Sequence, residues 1–370
     1  MRRVPESAVR RWAARLDAQW LRTRPATSTE QVLERILAVQ AQDPRGARLA
    51  IRARSTLAHV SDVDDALTRR RTSVISWLNR GTLHLVAADD YWWLHPLTTP
   101  QLRPGNDRRL RQLGLGSREV EQGVDVIVGA LASYGPLTRT ELRTALDAAG
   151  VRTEGQALVH LLTAATVRGH IVRGPIRGGQ SAFVEAEAWL GPAPEPLEET
   201  EGLARLARRY LAGHGPATAA DLAKWAGITL RRARAGIDTI GGECVPGPDG
   251  LVDLADRSSS TSNGRMPPPR LLGAFDPVLH GWLDRSFLVG AHRGIVTTNG
   301  LFRPTALVGG RVVATWGLAD GRLRLKPLEP IDPAARRALE REALSVLRFL
   351  GLPESAMVAE PVKSSGTSRR

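Results

Sequence analysis

The sequence predicts an α+β fold of tandem winged-helix (helix-turn-helix) units with a β-rich C-terminal part. Three observations carry that expectation: amphipathic helices followed by a turn-bearing hairpin within residues 1–120, a Gly-Pro-x-Thr segment that recurs 80 residues later, and paired β-rich runs near the end of the chain. With 370 residues, 42% hydrophobic and 24% charged, the chain is long enough for several packed domains and is neither a disordered tail nor a fibre.

Taken in order, Ser7 is the expected N-cap of a first helix, whose apolar positions Val9, Trp12, Ala13, Leu16 and Trp20 recur every three or four residues. Thr27-Ser28-Thr29-Glu30 reads as a capping box opening a second helix, with Val32, Leu33, Ile36, Leu37 and Val39 inward. That helix is expected to reach about Gln40 and to stop near Asp43, because Pro44 disfavours a helical residue before it. A third helix follows at residues 63–70. The β-rich runs 74–78 and 82–86 flank Asn79-Arg80-Gly81, which reads as a hairpin turn.

Gly135-Pro136-Leu137-Thr138, followed by Glu141 and Leu142, aligns with Gly215-Pro216-Ala217-Thr218, Asp221 and Leu222. In each copy Gly-Pro makes a turn, Thr caps a short helix, and a further helix follows, at residues 154–168 and 229–240. After the first copy, runs 171–173 and 181–184 bracket a glycine-rich tip that carries Arg177. Residues 191–200 read as a linker, and residues 256–269 as a Ser/Pro-rich mobile loop. A C-terminal hairpin turns at Gly309-Gly310, a closing helix spans residues 333–350, and the tail from Lys363 is polar and expected to fray. The expected domains are 1–125, 126–195 and 196–260, each a winged-helix unit, and 261–370, the β-rich part with its closing helix and tail.

Charge and cysteine content narrow the function. The 51 basic and 38 acidic residues give a net charge of +13. All but Lys224, Lys326 and Lys363 of the basic residues are arginine, which partly reflects composition bias. Residues 1–120 nevertheless hold 21 arginines against 12 acidic residues, so the excess is concentrated, as expected for a polyanion binder. The single cysteine, Cys244, excludes an internal disulfide framework and multi-cysteine metal sites. No run approaches a membrane span, and the basic N-terminus lacks an apolar signal core, so a cytoplasmic protein is expected. Walker A, Gly-x-Ser-x-Gly and His-Glu-x-x-His signatures are missing, and the histidines show no metal spacing, so neither metal nor cofactor is expected. What stands out is Gln40-Ala41-Gln42-Asp43-Pro44-Arg45, although Gln-Ala-Gln-Asp taken alone describes many polar helix ends. Trp92 and Trp93 are read as scaffold.

The string Ile36-Leu37-Ala38-Val39-Gln40-Ala41-Gln42, then Asn79-Arg80-Gly81-Thr82-Leu83-His84-Leu85-Val86, the repeated Gly-Pro-x-Thr segments, residues 271–277 and the Gly309-Gly310 hairpin together resemble the AlkZ/YcaQ family of bacterial DNA glycosylases. The resemblance is collinear from about residue 7 to 350. It implies tandem winged helices around a concave basic channel, and hydrolysis of the N-glycosidic bond of N7-alkylated purines, including bulky adducts and interstrand crosslinks. It places the catalytic element at Gln40-Ala41-Gln42, the Gln-apolar-Gln form of the AlkZ branch.

Those residue types suit the chemistry. An N7-alkylguanine is already cationic and leaves readily, so catalysis needs a positioned water and stabilisation of an oxocarbenium-like sugar. The carboxamide oxygen of Gln40 or Gln42 can orient the water, and Asp43 is the alternative base or charge stabiliser, sharing a face with Gln40 if the helix persists. Arg45, Arg48, Arg52 and Arg54 are candidate phosphate clamps, or simply a solvated face. Arg80, Thr82 and His84 form a second candidate DNA-contacting group; His84 stands equally as a phosphate contact, an orienting group or a hydrogen-bonded structural histidine. Arg177 and Arg285 are weaker DNA-contact candidates. The expected partner is double-stranded DNA carrying alkylated purines, bound by a monomer, in general repair or in self-resistance to a DNA-alkylating natural product. The rival expectation is a non-catalytic winged-helix transcription regulator reading the major groove, which typically dimerises; no heptad dimerisation helix is evident.

Overall fold

The computed structural model describes residues 5–258, 265–292, 294–297 and 300–361. Helices and several small sheets give a mixed α+β protein, the class expected from sequence. The chain divides into two compact units: one from residues 1–63, 210–221 and 243–370, the other from 64–209 and 222–242. Among the described residues no helix is long and apolar enough to cross a membrane.

In the first unit the opening helix, Glu6–Ala18, starts directly after Pro5, so Ser7 lies inside its first turn and caps nothing. Its buried Trp12 packs edge-on to Trp282 and stacks on Phe287. The next helix, Thr29–Ile36, is capped by Ser28, which accepts from the Gln31 amide, while Gln31 accepts from the Thr27 amide at 2.7 Å. The cap is therefore shifted by one residue from the Thr27/Glu30 expectation, with the Gln31 side chain reaching back to Thr27 and not to Ser28.

The larger correction comes at its other end. Leu37 adopts φ +63, which breaks the helix at Ile36, and Ala38–Gln40 continues as a short strand. Burial explains the misreading: Leu37, Ala38 and Val39 are all buried, so the apolar pattern of a helix carries on through a segment that has left the helix. Pro44 then begins a helix, Pro44–Arg52, instead of only ending one; at the first helical position its missing N–H costs nothing. Beyond it a five-stranded sheet runs in the order Val358–Ala359, Arg322–Pro327, Arg311–Ala319, Thr305–Val308, Arg270–Leu272. Gly309 and Gly310, at φ +55 and +72, make its hairpin turn. The closing helix Pro333–Phe349, capped by Asp332, packs against Arg270–Leu272.

In the second unit Thr82–Ala87, Ser73–Leu78, Ile171–Arg177 and Gln180–Glu185 pair antiparallel in that order. Asn79 and Gly81, both at positive φ, form the first hairpin turn as expected. Ser117–Tyr134, Arg139–Ala148 and Ala157–Val167 enclose an apolar cluster with Ile127, Leu142, Leu158, Leu161 and Phe183 at its centre. Trp93 is buried and donates to Asp90 at 2.9 Å, and Trp92 packs edge-on to Tyr91, a scaffold role.

The internal repeat is real at the level of caps. Thr138 accepts from the Glu141 amide while Glu141 accepts from the Thr138 amide; Thr218 and Asp221 make the same exchange at the Ala219–Ala226 helix. Residues 259–264 of the Ser/Pro-rich loop, Thr298, and the tail from Lys363 lie outside the described residues.

Candidate active site

The Leu37 break puts Gln40 at the end of a buried strand instead of a helix terminus. Gln40 is 6% exposed and Gln42 is exposed. The Gln40 Nε2 amide donates to Gln42 Oε1 at 2.6 Å, so the two glutamines form one carboxamide pair with an outer, solvent-facing member. Gln42 Oε1 retains a second acceptor site for a water. Asp43 no longer shares a helix face with Gln40. Its carboxylate accepts from the Gly46 amide and caps the Pro44–Arg52 helix, where the helix dipole favours an anion.

A close backbone approach fixes this corner. A Cβ on Gly46 would lie 2.3 Å from the Ala274 carbonyl oxygen, and one on Gly273 would lie 2.8 Å from Gly46. The glycines let the start of the Pro44–Arg52 helix abut the 271–277 segment, and the Pro277–Leu279 turn packs against Ala38–Gln40. Deeper in, Arg54 donates to both oxygens of Asp276, at 2.8 and 3.0 Å, and to Gln19 Oε1 at 2.7 Å. Gln19 in turn donates to the Gly213 carbonyl at 2.8 Å. Sequence reasoning missed this buried network, because Arg54 looked like one more cation of a basic run and Asp276 had no visible partner; only the Asp-Pro turn motif hinted at it.

The candidate phosphate contacts separate by burial. Arg45 is exposed and has no ion-pair partner among the described residues. Arg48 is half-buried, with its guanidinium donating to the Pro44 carbonyl at 2.8 Å. Arg52 is 2% exposed and pairs with the buried Glu342 at 3.1 Å, which turns it into the unit. Burial pushes the Glu342 carboxyl upward, but Arg52 and Arg24 outweigh it and hold the group below the usual carboxylate range. Arg285 donates to the Leu279 carbonyl at 3.0 Å, with its guanidinium 5.2 Å from the Phe302 ring centre.

In the second unit, Arg80 donates to the Trp225 carbonyl at 2.6 Å, and half-buried Thr82 supplies a carbonyl to His84. His84 is 2% exposed; burial first, and Arg80 second, push it down to about 3, so the ring is neutral. Its Nδ1–H donates to the Thr82 carbonyl at 2.9 Å, which fixes the tautomer. Arg177 is exposed on the hairpin, paired with Glu141 at 3.1 Å and donating to the Pro136 carbonyl. Among the described residues no three His, Cys, Asp or Glu side chains converge to hold a metal ion.

A family profile described as DNA glycosylase AlkZ-like matches residues 33–349. A protein of Streptomyces sahachiroi named interstrand DNA cross-link repair glycosylase is 28% identical over 363 residues, covering 92% of this chain and 96% of that protein. The solved structure of Streptomyces sahachiroi DNA glycosylase AlkZ superposes with a TM-score of 0.77 at 24% identity, covering 95% of this chain and 99% of that one.

Proposed function

The chain belongs to the AlkZ-like DNA glycosylase family, and on that premise we propose that it is a metal-free, monofunctional hydrolase of the N-glycosidic bond of N7-alkylguanine in double-stranded DNA, leaving an abasic site. Bulky adducts and interstrand crosslinks fall within its range, in keeping with the name of the Streptomyces relative. The observation that carries the reading is the Gln40–Gln42 carboxamide pair, buried at one end and open at the other.

The mechanism follows from that pair. Gln40 is the positioning residue: its amide holds the Gln42 carbonyl. Gln42 accepts a hydrogen bond from a water and directs the oxygen lone pair at C1′. The cationic guanine leaves with the glycosidic electron pair and becomes neutral, the water oxygen bonds to C1′, and its surplus proton passes to solvent. An amide is too weak a base for early proton removal, so deprotonation is late. Asp43, whose carboxylate accepts from the Gly46 amide at the helix start, stabilises the positive charge that develops on the sugar.

The helices and hairpins of segments 1–125, 126–195 and 196–260 act as tandem winged helices lining a basic channel, and segment 261–370 adds the β-rich part. The repeated Thr caps and the hairpin bearing Arg177 support that arrangement. Arg45, Arg48, Arg80 and Arg177 serve phosphates, while His84 is a structural histidine that stiffens the hairpin. The enzyme works as a monomer in the cytoplasm, at the nucleoid. The test is a duplex carrying a single N7-methylguanine: incubation and then alkali should cut the strand at that site. A transcription regulator would leave the strand whole and instead footprint a sequence on undamaged DNA at physiological salt.

A further inference from the structure

In the same unit as the glutamines, Phe275 adopts φ +57, a region that bulky residues rarely enter. Such strain persists only where the surroundings impose it, and it gathers at functional sites. Here both neighbours are fixed: the Ala274 carbonyl abuts Gly46, and Asp276 is clamped by Arg54. The conformation lays the Phe275 ring parallel to His280, with centres 6.1 Å apart at 10°. His280 packs on Phe302 with centres 4.0 Å apart, and the Arg285 guanidinium lies 5.2 Å from the Phe302 ring.

Phe275 is buried, whereas His280 and Phe302 are only half-buried and so keep part of their surface in solvent. Leu283 and Leu301, 53% and 54% exposed, lie in the two chain segments that carry these rings. Arg303 is exposed with no ion-pair partner among the described residues. The group is tied to the glutamine strand through the Pro277–Leu279 turn, which packs against Ala38–Gln40 and whose Leu279 carbonyl anchors Arg285. Flat rings, cations and exposed apolar side chains together suit a planar aromatic ligand attached to a polyanion.

We propose that Phe302 and His280, flanked by Arg285 and Arg303, form a stacking platform for a planar aromatic substituent carried on N7 of the damaged guanine, the arginines taking the adjoining phosphates. The assignment rests on the glycosylase reading and adds a substrate class to it: a methyl group offers no π face, so the platform discriminates in favour of flat, bulky adducts.

The test compares kcat/KM for two duplexes, one with N7-methylguanine and one with an N7-guanine adduct bearing a polycyclic arene, in wild type, Phe302→Leu and Phe302→Tyr. Phe302→Leu should lower the arene-to-methyl ratio about tenfold, a typical effect of losing one stacking contact. Phe302→Tyr, which keeps the ring, should restore it. Thermal denaturation checks that both variants fold. An unchanged ratio in folded Phe302→Leu, or an equal fall on both duplexes, overturns the platform while leaving the glycosylase reading intact. Cleavage of neither duplex by wild type overturns the glycosylase reading itself.

Discussion

Arg54 and Asp276 form a bidentate ion pair, the guanidinium donating at 2.8 and 3.0 Å, with both side chains wholly excluded from solvent. It joins the C-terminal end of the Pro44–Arg52 helix region to the turn that supports Gln40. Removing one partner strands a buried charge. Asp276→Ala should cost about 3–5 kcal/mol of stability, read from the urea midpoint, whereas Arg54→Leu with Asp276→Leu should cost less than the two single changes added together. A single change that leaves the midpoint in place contradicts the supporting role.

Gly46→Ala introduces a Cβ 2.3 Å from a carbonyl oxygen, with backbone on both sides of the contact. The expected penalty is about 1–3 kcal/mol, in the range of core overpacking, together with a fall in kcat as the Pro44–Arg52 helix shifts away from Gln42. Calorimetry and single-turnover kinetics check the two effects separately.

How much of this was legible in the sequence depends on range. Local signals were sound: the Thr138 and Thr218 caps, the Asn79–Gly81 turn and the Gly309-Gly310 hairpin each depend on a few adjacent residues. Gln40 and Gln42 stand out in the sequence but are expected at a helix end, whereas Gln40 closes a strand and Gln42 follows it, because Leu37, Ala38 and Val39 are as buried outside the helix as they would be inside it. Long-range partners were invisible. Arg52 and Arg54 belong to the same arginine run as Arg45, yet carboxylates some 290 and 222 residues away turn them inward. No spacing along the chain encodes that difference.

That contrast is itself testable. Arg45→Ala should weaken binding to undamaged duplex without changing stability by more than about 0.5 kcal/mol, and should reduce the slope of log K against log salt by about one. Arg52→Ala should instead destabilise the fold, since it leaves Glu342 without one of its cations. Filter binding across a salt series and urea denaturation distinguish the two arginines.

Burial, the leading cause in each case, pushes His84 and His214 down to about 3 and His95 to about 4. In the unfolded chain each ring takes up a proton near 6.5, while the folded protein keeps it neutral. Stability is therefore full above about pH 6.5 and falls as pH drops toward the folded values, at about 1.4 kcal/mol per pH unit for each histidine. Urea midpoints between pH 7.5 and 5 should fall steadily, and His84→Phe should make that fall shallower. A flat profile would mean that these rings are protonated in the fold.

The central claim is that the Gln40–Gln42 pair positions the attacking water. Its most direct test is single-turnover excision of N7-methylguanine from a duplex by wild type, Gln42→Ala, and the Gln40→Ala/Gln42→Ala double variant, with denaturation midpoints measured alongside. Gln42→Ala should lower the rate about 100-fold or more, and the double variant should do little further harm, because the two amides act as one unit. Excision at the wild-type rate by a folded double variant would contradict the account and move the catalytic water away from these glutamines.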